Sequence, residues 1–203
     1  MAFPEETVVC KYNSGQEIVS GCHAWANPGN SYDANDATAA TILTTTNFCS
    51  RTIQGNTHDN TRSVGRITKV EIGFLGSVSP NVWGTYKVRP KFTGGDGTWV
   101  DKGAGDPPNI VWEDVTTDAN APSPWNWTHV DNLDMEIVMT DNSIVQTLQL
   151  NLIYVRVTYT MEIYINIGDS WKTVTEIQVN IGDVWKDVDD IDINIGDVWK
   201  DTE

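Results

Sequence analysis

The segment Thr147–Thr160 has the sequence TLQLNLIYVRVTYT, in which apolar and polar residues alternate with the two-residue period of a β-strand. The alternation changes phase in the middle of the segment. The apolar residues of the two halves therefore fall on opposite faces: Leu148, Leu150 and Leu152, then Ile153, Val155, Val157 and Tyr159. A β-bulge near Leu152–Tyr154, or burial of both faces, would produce this change, so the segment predicts a long, irregular strand.

Shorter alternating segments precede this strand. Their apolar positions are Val70, Ile72 and Phe74, then Val82, Tyr86, Val88 and Phe92, and then Met135, Ile137 and Met139. Glycine and proline clusters at 94–97 and 103–108 predict turns between them. No long stretch of helix-forming residues occurs. Several short strands with irregular turns favour an all-β, jelly-roll-like antiparallel β-sandwich over residues 24–160.

Three copies of a 14-residue unit follow the long strand. They are MEIYINIGDSWKTV from Met161, TEIQVNIGDVWKDV from Thr175 and DDIDINIGDVWKDTE from Asp189. The glycines Gly168, Gly182 and Gly196 align, as do Trp171, Trp185 and Trp199. In the second copy, Ile177, Val179 and Ile181 share one strand face, and Gly182-Asp183 suits a two-residue turn. Residues 161–203 are therefore predicted to form three tandem β-hairpins, and residues 1–23 an N-terminal arm.

The hairpins are expected to act as adhesive elements, because a hairpin alone is marginally stable in water and needs a surface to pack on. We expect Trp171, Trp185 and Trp199 to be contact anchors, together with Ile177, Val179 and Ile181. The basic stripe Lys87, Arg89 and Lys91 on one strand face has two interpretations. It protects a sheet edge from aggregation, or it is a docking strip for an acidic surface of a neighbouring subunit.

Charge excludes several classes of partner. The 203 residues include 28 acidic and 13 basic side chains, for a net charge of −15. Residues 161–203 contribute −8 of this total. A net acidic chain is not expected to bind nucleic acid or anionic lipid, and no apolar run is long enough to span a bilayer. The first seven residues lack a basic start and an apolar core, so we expect no secretory signal and synthesis in a cytosol.

The residues with catalytic or metal-binding chemistry form no familiar enzyme motif. Asp131, Asp134 and Glu136 are close in sequence, as in jelly-roll glycosidases, but a solvated strand face is the preferred interpretation. Cys10, Cys22 and Cys49 lack CxxC spacing, and we expect reduced thiols. We therefore predict no enzyme activity and no cofactor.

Two further candidate sites each have an alternative structural interpretation. Asp33 and Asp36 offer oxygen ligands of the kind that Ca²⁺ takes, although Asx side chains commonly cap their own turns instead. Trp125 and Trp127, in the sequence Pro-Trp-Asn-Trp-Thr, are the best pair for contact with a glycan. Packing in the core is the alternative for both, because it is the commoner use of tryptophan.

Two parts of the sequence resemble proteins of tailed phages and prophages. The residues Trp25-x-Asn-Pro-Gly-Asn…Tyr-Asp-x-Asn-Asp-Ala-Thr-Ala and Tyr154-Val-Arg-Val-Thr-Tyr-Thr160 resemble a sandwich module of phage virion proteins over residues 25–160. The Ile-Gly-Asp-x-Trp-Lys-x-Val copies are similar to v-G-G-x-W-K-x-V tandem repeats of phage tail-associated proteins, with Asp169, Asp183 and Asp197 in place of the second glycine. The resemblance implies a location in the virion.

The sequence therefore predicts a non-enzymatic virion structural protein, tail- or fibre-associated or a capsid decoration. Its expected partners are further copies of itself and other virion proteins, such as capsid or tail proteins. The alternative is a carbohydrate-binding adhesin or receptor-binding module of a virion or a cell-surface filament. A surface position of Trp125 and Trp127 would favour that alternative.

Overall fold

The computed structural model describes residues 5–19, 22–35, 37–43, 48–79, 85–102, 110–141 and 147–161, and short strands between residues 163 and 201. In these ranges β-strand is by far the commonest regular structure, so the predicted all-β class is confirmed. The described helices are a 3₁₀ turn at Pro28–Ser31 and the helix α1 at Trp127–Asp131. Neither is long and apolar enough to cross a membrane.

The strands of the body, up to residue 160, are short at the periphery and long in the middle of the sheet. They are β1 (Glu5–Ile18), β2 (Ala40–Leu43), β3 (Phe48–Cys49), β4 (Thr52–His58), β5 (Arg66–Ser79), β6 (Thr85–Phe92), β7 (Gly95–Asp96), β8 (Val100–Asp101), β9 (Val111–Asp114), β10 (Asp134–Asp141) and β11 (Thr147–Thr160). The six strands that follow are β12 (Ile163–Ile167), β13 (Ser170–Val174), β14 (Gln178–Ile181), β15 (Val184–Asp187), β16 (Asp192–Asn194) and β17 (Trp199–Asp201).

The body is one antiparallel sheet that curls into a half-barrel. Its order is β7-β6-β10-β4-β1-β11-β5-β9, with β2, β3 and β8 attached to β11, β10 and β6. Strand β1 joins the two halves, because its first part, Glu5–Lys11, pairs with β11 and its second part, Tyr12–Ile18, pairs with β4. Register shifts between Tyr12 and Gly15 mark the transition, and such irregularities bend a strand.

The inner face of the curled sheet forms a continuous apolar core. Met135, Ile137 and Met139 of β10 and Val70, Ile72 and Phe74 of β5 are all fully buried there, as their alternation predicts. Tyr86 of β6 connects the two halves directly. Its hydroxyl donates to the backbone carbonyls of Ser77 (3.2 Å) and Gln149 (2.9 Å), and its ring lies 4.7 Å from that of Phe74.

The predicted irregularity of the long strand is confirmed. Strand β11 pairs with β5 along its whole length, but the register shifts between Leu150 and Leu152. The shift places Leu150 and Ile153 together in the core, while Leu152 is buried outside the core cluster. The bulge thus lies at Asn151, just before the predicted position. It keeps an apolar residue facing the core on both sides of the phase change.

The prediction of an N-terminal arm over residues 1–23 is wrong for most of that range. Residues Glu5–Ile18 form a 14-residue strand that is hydrogen-bonded to a neighbour on each side in turn. The sequence signal is weak because only Cys10 and Tyr12 of this strand are buried, and Val9 is half exposed. Pairing with β4 and β11, whose register partners lie 34 to 155 residues away, therefore determines this strand more than its own apolar pattern does.

The expectation of three reduced thiols is also wrong. Cys22 and Cys49 form a disulfide across a sequence separation of 27 residues. Their neighbours His23 and Ser50 form a parallel bridge, and this pairing brings the two Cα atoms to 5.3 Å. Cys10 remains a buried free thiol. Burial, with a smaller contribution from Asp59, raises the pKa of this thiol to about 12, so it stays protonated and unreactive near neutral pH.

After residue 161 the described strands form three separate antiparallel pairs, β12 with β13, β14 with β15 and β16 with β17. The three pairs have the same register. Asn166 is opposite Trp171, Asn180 is opposite Trp185, and Asn194 is opposite Trp199. The predicted contact residue Ile177 and the predicted turn residues Gly168, Gly182 and Gly196 lie outside the described residues.

Candidate functional site

The basic stripe Lys87, Arg89 and Lys91 lies on the outer face of β6, as its alternation with buried residues predicts. Each cation of the stripe has a carboxylate partner in the same half of the sheet. Lys87 pairs with Asp101 at 3.3 Å, and Lys91 pairs with Glu136 at 3.1 Å. Arg89 contacts both Glu136 at 2.6 Å and Asp96 at 2.8 Å. The stripe is thus neutralised within its own subunit.

Glu136 is the centre of this arrangement, which we call the Glu136 cluster: Glu136, Arg89, Lys91, Asp96 and Trp99. Glu136 is only 2% exposed, so the predicted solvated strand face is wrong at this position. The guanidinium of Arg89 stacks on the indole ring of Trp99 at 4.7 Å. In this partly buried network the cations are already paired with carboxylates of their own subunit. Their charge is therefore not available to an acidic surface of another subunit.

A second cluster of the same composition lies on the other half of the sheet. This Glu71 cluster consists of Glu71, Arg156, Lys69, Asp114 and Trp112. Arg156 donates from Nε (2.6 Å) and Nη2 (2.7 Å) to the two carboxylate oxygens of Glu71, and Lys69 donates at 2.9 Å. Arg156 also stacks on Trp112 at 4.2 Å. The hydrogen bonds from Arg156 are the main reason that the pKa of Glu71 is lowered.

The two clusters indicate a structural role for the acidic residues that resemble a catalytic set. Asp134 and Glu136 share one face of β10, as expected, but Glu136 is engaged by two cations. Asp134 accepts a hydrogen bond from Gln54 at 2.9 Å, and burial raises its pKa. Asp131 instead lies in α1 and accepts from Asn60 at 2.7 Å. Asp134 and Glu136 are thus linked through Gln54 and Lys91, because Lys91 also donates to Gln54 at 3.4 Å, whereas Asp131 bonds to Asn60.

The predicted glycan-contact pair is not a surface pair. Trp127 is 7% exposed and donates from its indole nitrogen to the carbonyl of Gly65 at 3.1 Å, so the alternative of core packing holds for it. Trp125 is partly buried and donates to the carbonyl of Thr116 at 3.0 Å. The exposed tryptophan of the described body is Trp99, at 37%. Trp99 lies against the guanidinium of Arg89. The sequence around Trp99 does not indicate this position.

Asp33 caps its own turn. One of its oxygens accepts from the backbone nitrogen of Asn35 at 2.9 Å, and the other accepts from the Thr38 hydroxyl at 2.7 Å. This is the alternative that the sequence left open against a Ca²⁺ site. Asp36, the other predicted ligand, lies outside the described residues. Among the residues that are described, no group of three His, Cys, Asp or Glu side chains could hold a metal ion.

The surface of the described body includes a groove and a smaller cleft. A groove of about 370 Å³ lies between the segment after the disulfide and strand β2, and it is lined by His23, Ala24, Ala26, Thr41, Ile42, Leu43 and Thr147. A smaller cleft of about 150 Å³ is lined by Phe92, Thr93, Gly94, Asn120, Pro122 and His129. His129 also completes a capping box with Asn126 at the start of α1.

The predicted anchors Trp171, Trp185 and Trp199 lie in β13, β15 and β17, while Val179 and Ile181 lie in β14. The register partners of the tryptophans are Asn166, Asn180 and Asn194, and the register partner of Val179 is Lys186. No model of a known protein family matches this chain, and no curated protein matches it.

Proposed function

We propose that this chain is a non-enzymatic structural protein of a virus particle, associated with a tail, a fibre or the capsid surface. It assembles through its C-terminal strand pairs with further copies of itself and with other virion proteins. The observation that carries the proposal is the common register of the three pairs, in which the same asparagine and tryptophan positions meet each time. A strand pair that is repeated three times with the same register can make the same contact with a partner three times.

In this proposal residues 161–203 are three tandem β-hairpins, and each has two different faces. One face carries aliphatic residues such as Val179 and Ile181, and the other carries the tryptophan and the asparagine. Two-stranded units are marginal alone, so both faces gain stability by packing on a partner. Burial of tryptophan is a common source of binding energy at protein interfaces.

The body supports the proposal as a rigid platform. We propose that it is a jelly-roll-like sandwich whose two layers stay continuous through β1. Its core spans both halves, and the Glu71 and Glu136 clusters lie on opposite halves of the sheet. The Cys22–Cys49 disulfide suits a protein that works in a released particle, because disulfides persist in oxidising surroundings.

The test compares tryptophans of the repeats with a tryptophan of the body, all in the full-length chain. We expect the wild-type protein to sediment as a homo-oligomer. The triple variant W171A/W185A/W199A should dissociate at concentrations at least about tenfold higher, because the loss of even one hot-spot anchor costs about 2 kcal/mol, which is more than a factor of ten. Trp99→Ala is the matched control, since it removes an exposed tryptophan outside the repeats, and it should leave the oligomer intact.

Two results would contradict the proposal. A wild-type chain that stays monomeric at every accessible concentration would remove the assembly role. A triple variant that assembles as tightly as the wild type would remove the repeats as its contact. The virion location is tested separately, by mass spectrometry of purified particles from a culture that carries this gene. There the protein should occur in a fixed ratio to the capsid protein.

A further inference from the structure

The cations of the body fall into two groups. Seven of the ten have carboxylate partners within the body: Arg51, Lys69, Lys87, Arg89, Lys91, Lys102 and Arg156. Lys11 is engaged by other contacts. Among the described residues, no ion pair involves Arg62 or Arg66, and both are exposed. Among the described residues of the body, the cations without an ion-pair partner are therefore Arg62 and Arg66, at the two ends of residues 62–66, which we call the Arg62–Arg66 loop.

This loop is held in place by the body on both sides. The side chain of Asn60 accepts from the backbone nitrogen of Arg62 at 3.0 Å and donates to its carbonyl at 2.9 Å. Gly65 has a φ of +96°, and its carbonyl accepts from the buried indole of Trp127. Between these anchors Val64 is 54% exposed. A fixed loop loses little conformational entropy when a partner binds.

The carboxylates that the structure describes near the loop are hydrogen-bonded to neutral groups and form no ion pair with its arginines. Asp59 accepts from the backbone nitrogen of Lys11 at 2.6 Å. Glu5 accepts from the Thr68 hydroxyl at 3.0 Å, and Glu6 accepts from the Tyr159 hydroxyl at 2.7 Å. The loop thus combines two exposed guanidinium groups with an exposed apolar side chain. That combination fits a partner that is acidic and partly apolar.

The chain itself contains such a partner. Residues 161–203 have 11 acidic and 3 basic side chains, interspersed with Ile, Val and Trp. They begin at the same end of the sheet as the loop, because Thr160, the last residue of β11, is the register partner of Arg66. Each chain brings one Arg62–Arg66 loop and three acidic repeats, so in an assembly the repeats of one copy are available to the loop of another.

We propose that the Arg62–Arg66 loop is the docking surface for the acidic repeats of a second copy of this chain. This inference rests on the proposed assembly function and names the surface that the repeats contact. It also replaces the Lys87, Arg89 and Lys91 stripe, whose charge is neutralised within its own subunit, as the complement of the acidic region. The contact is electrostatic at its rim and apolar at Val64.

The test is a charge swap in the full-length chain, followed by sedimentation. At a salt concentration of about 0.05 M, R62E/R66E should weaken self-association about tenfold, because reversed charges at a rim repel the partner. Adding D187K/D192K/D201K to that variant should restore association, which a purely structural role of the arginines would not allow. Lys87→Glu is the control, since Lys87 is exposed but already paired with Asp101, and it should have a much smaller effect.

A cross-linking experiment identifies the occupant. Arg62→Lys places an amine in the loop, and a carbodiimide should join it to repeat carboxylates of an isotopically different copy in a mixed sample. Cross-links confined to one copy would overturn docking on a second copy. An oligomer that is indifferent to R62E/R66E, or that the charge swap does not restore, would overturn this inference alone. A wild-type chain that never associates would overturn the proposed function as well.

Discussion

At the scale of single residues, the outer faces of the sheet are organised by two nearly buried glutamates. Glu71 and Glu136 each bind one arginine and one lysine, and the arginine is covered by a tryptophan. A charge in such a position is stable only while its partners remain. The alternation of β5 and β10 predicts that these two glutamates face outward. It does not predict that they are buried, because the covering residues Trp99 and Asp96 come from other segments.

Glu71→Gln should lower the free energy of unfolding at pH 7 by about 2–3 kcal/mol, somewhat less than for a fully buried pair because Arg156 remains partly exposed. Since the pKa of Glu71 is lowered in the folded protein, its stabilisation is complete above the pKa of the unfolded chain. It is lost as the pH falls through the folded pKa. Urea unfolding between about pH 7 and pH 3 should therefore show the variant approaching the wild type in acid.

Asp101→Asn is the control for this prediction. It removes a carboxylate from the pair with Lys87, where the Asp101 side chain is 64% exposed. An exposed pair contributes at most about 1 kcal/mol, so this variant should stay close to the wild type at every pH. Equal losses in the two variants, or a gap for Glu71→Gln that does not change with pH, would contradict the assignment of Glu71 as a charge-dependent stabilising residue.

Among the secondary-structure elements, β1 is the strand that connects the fold. It joins the two halves of the sheet, and its Tyr12 is fully buried and donates to the carbonyl of Leu133 at 2.6 Å. The ring of Tyr12 fills the space above Gly55 of the neighbouring β4. A Cβ atom on Gly55 would lie 2.5 Å from both Tyr12 and Ile153. The close approach of β1 and β4 to the core therefore requires a residue without a side chain there.

Gly55→Ala should destabilise the protein by about 1–3 kcal/mol, because an added methyl group overpacks a core that has no free space. Gly94→Ala is the matched control, since a Cβ there would meet nothing within 4 Å. It should change stability by less than about 0.5 kcal/mol. Thermal unfolding of both variants gives the comparison. Similar melting temperatures for the two would mean that Tyr12 and Ile153 can move aside.

At the scale of the whole molecule, the disulfide restricts the unfolded chain. Cys22 and Cys49 close a loop across 27 residues of separation, and they tie the segment after β1 to the short strand β3. A cross-link of this length reduces the number of conformations of the unfolded state, which raises the relative stability of the folded one. The third cysteine, Cys10, is buried in the body and does not take part.

Cys22→Ser/Cys49→Ser should lower the free energy of unfolding by about 3–4 kcal/mol in the chain-entropy model. A reducing agent should lower the stability of the wild type to a similar extent and leave the double variant unchanged. Urea unfolding with and without reductant measures both effects. A wild type that is insensitive to reductant, while mass spectrometry shows that the bond is reduced, would contradict a stabilising role.

The sequence by itself determined the features that depend on neighbouring residues along the chain. The two-residue alternation determined the all-β class, the phase change in Thr147–Thr160 determined the bulge, and the 14-residue period determined the repeated unit. Each follows from local rules, because strand geometry places alternate residues on opposite faces. The positions of the outward-facing cations on β6 were predictable for the same reason.

Contacts between residues far apart in the chain could be read only from the tertiary structure. It placed Glu5–Ile18 inside the sheet, joined Cys22 to Cys49, buried Trp127 and supplied Lys87, Arg89 and Lys91 with carboxylates from other strands. These outcomes depend on strand pairing and charge neutralisation between segments far apart in the chain. A pattern along one segment carries no information about its partners. The sequence therefore could not show that the arginines of the Arg62–Arg66 loop lack an ion-pair partner among the described residues.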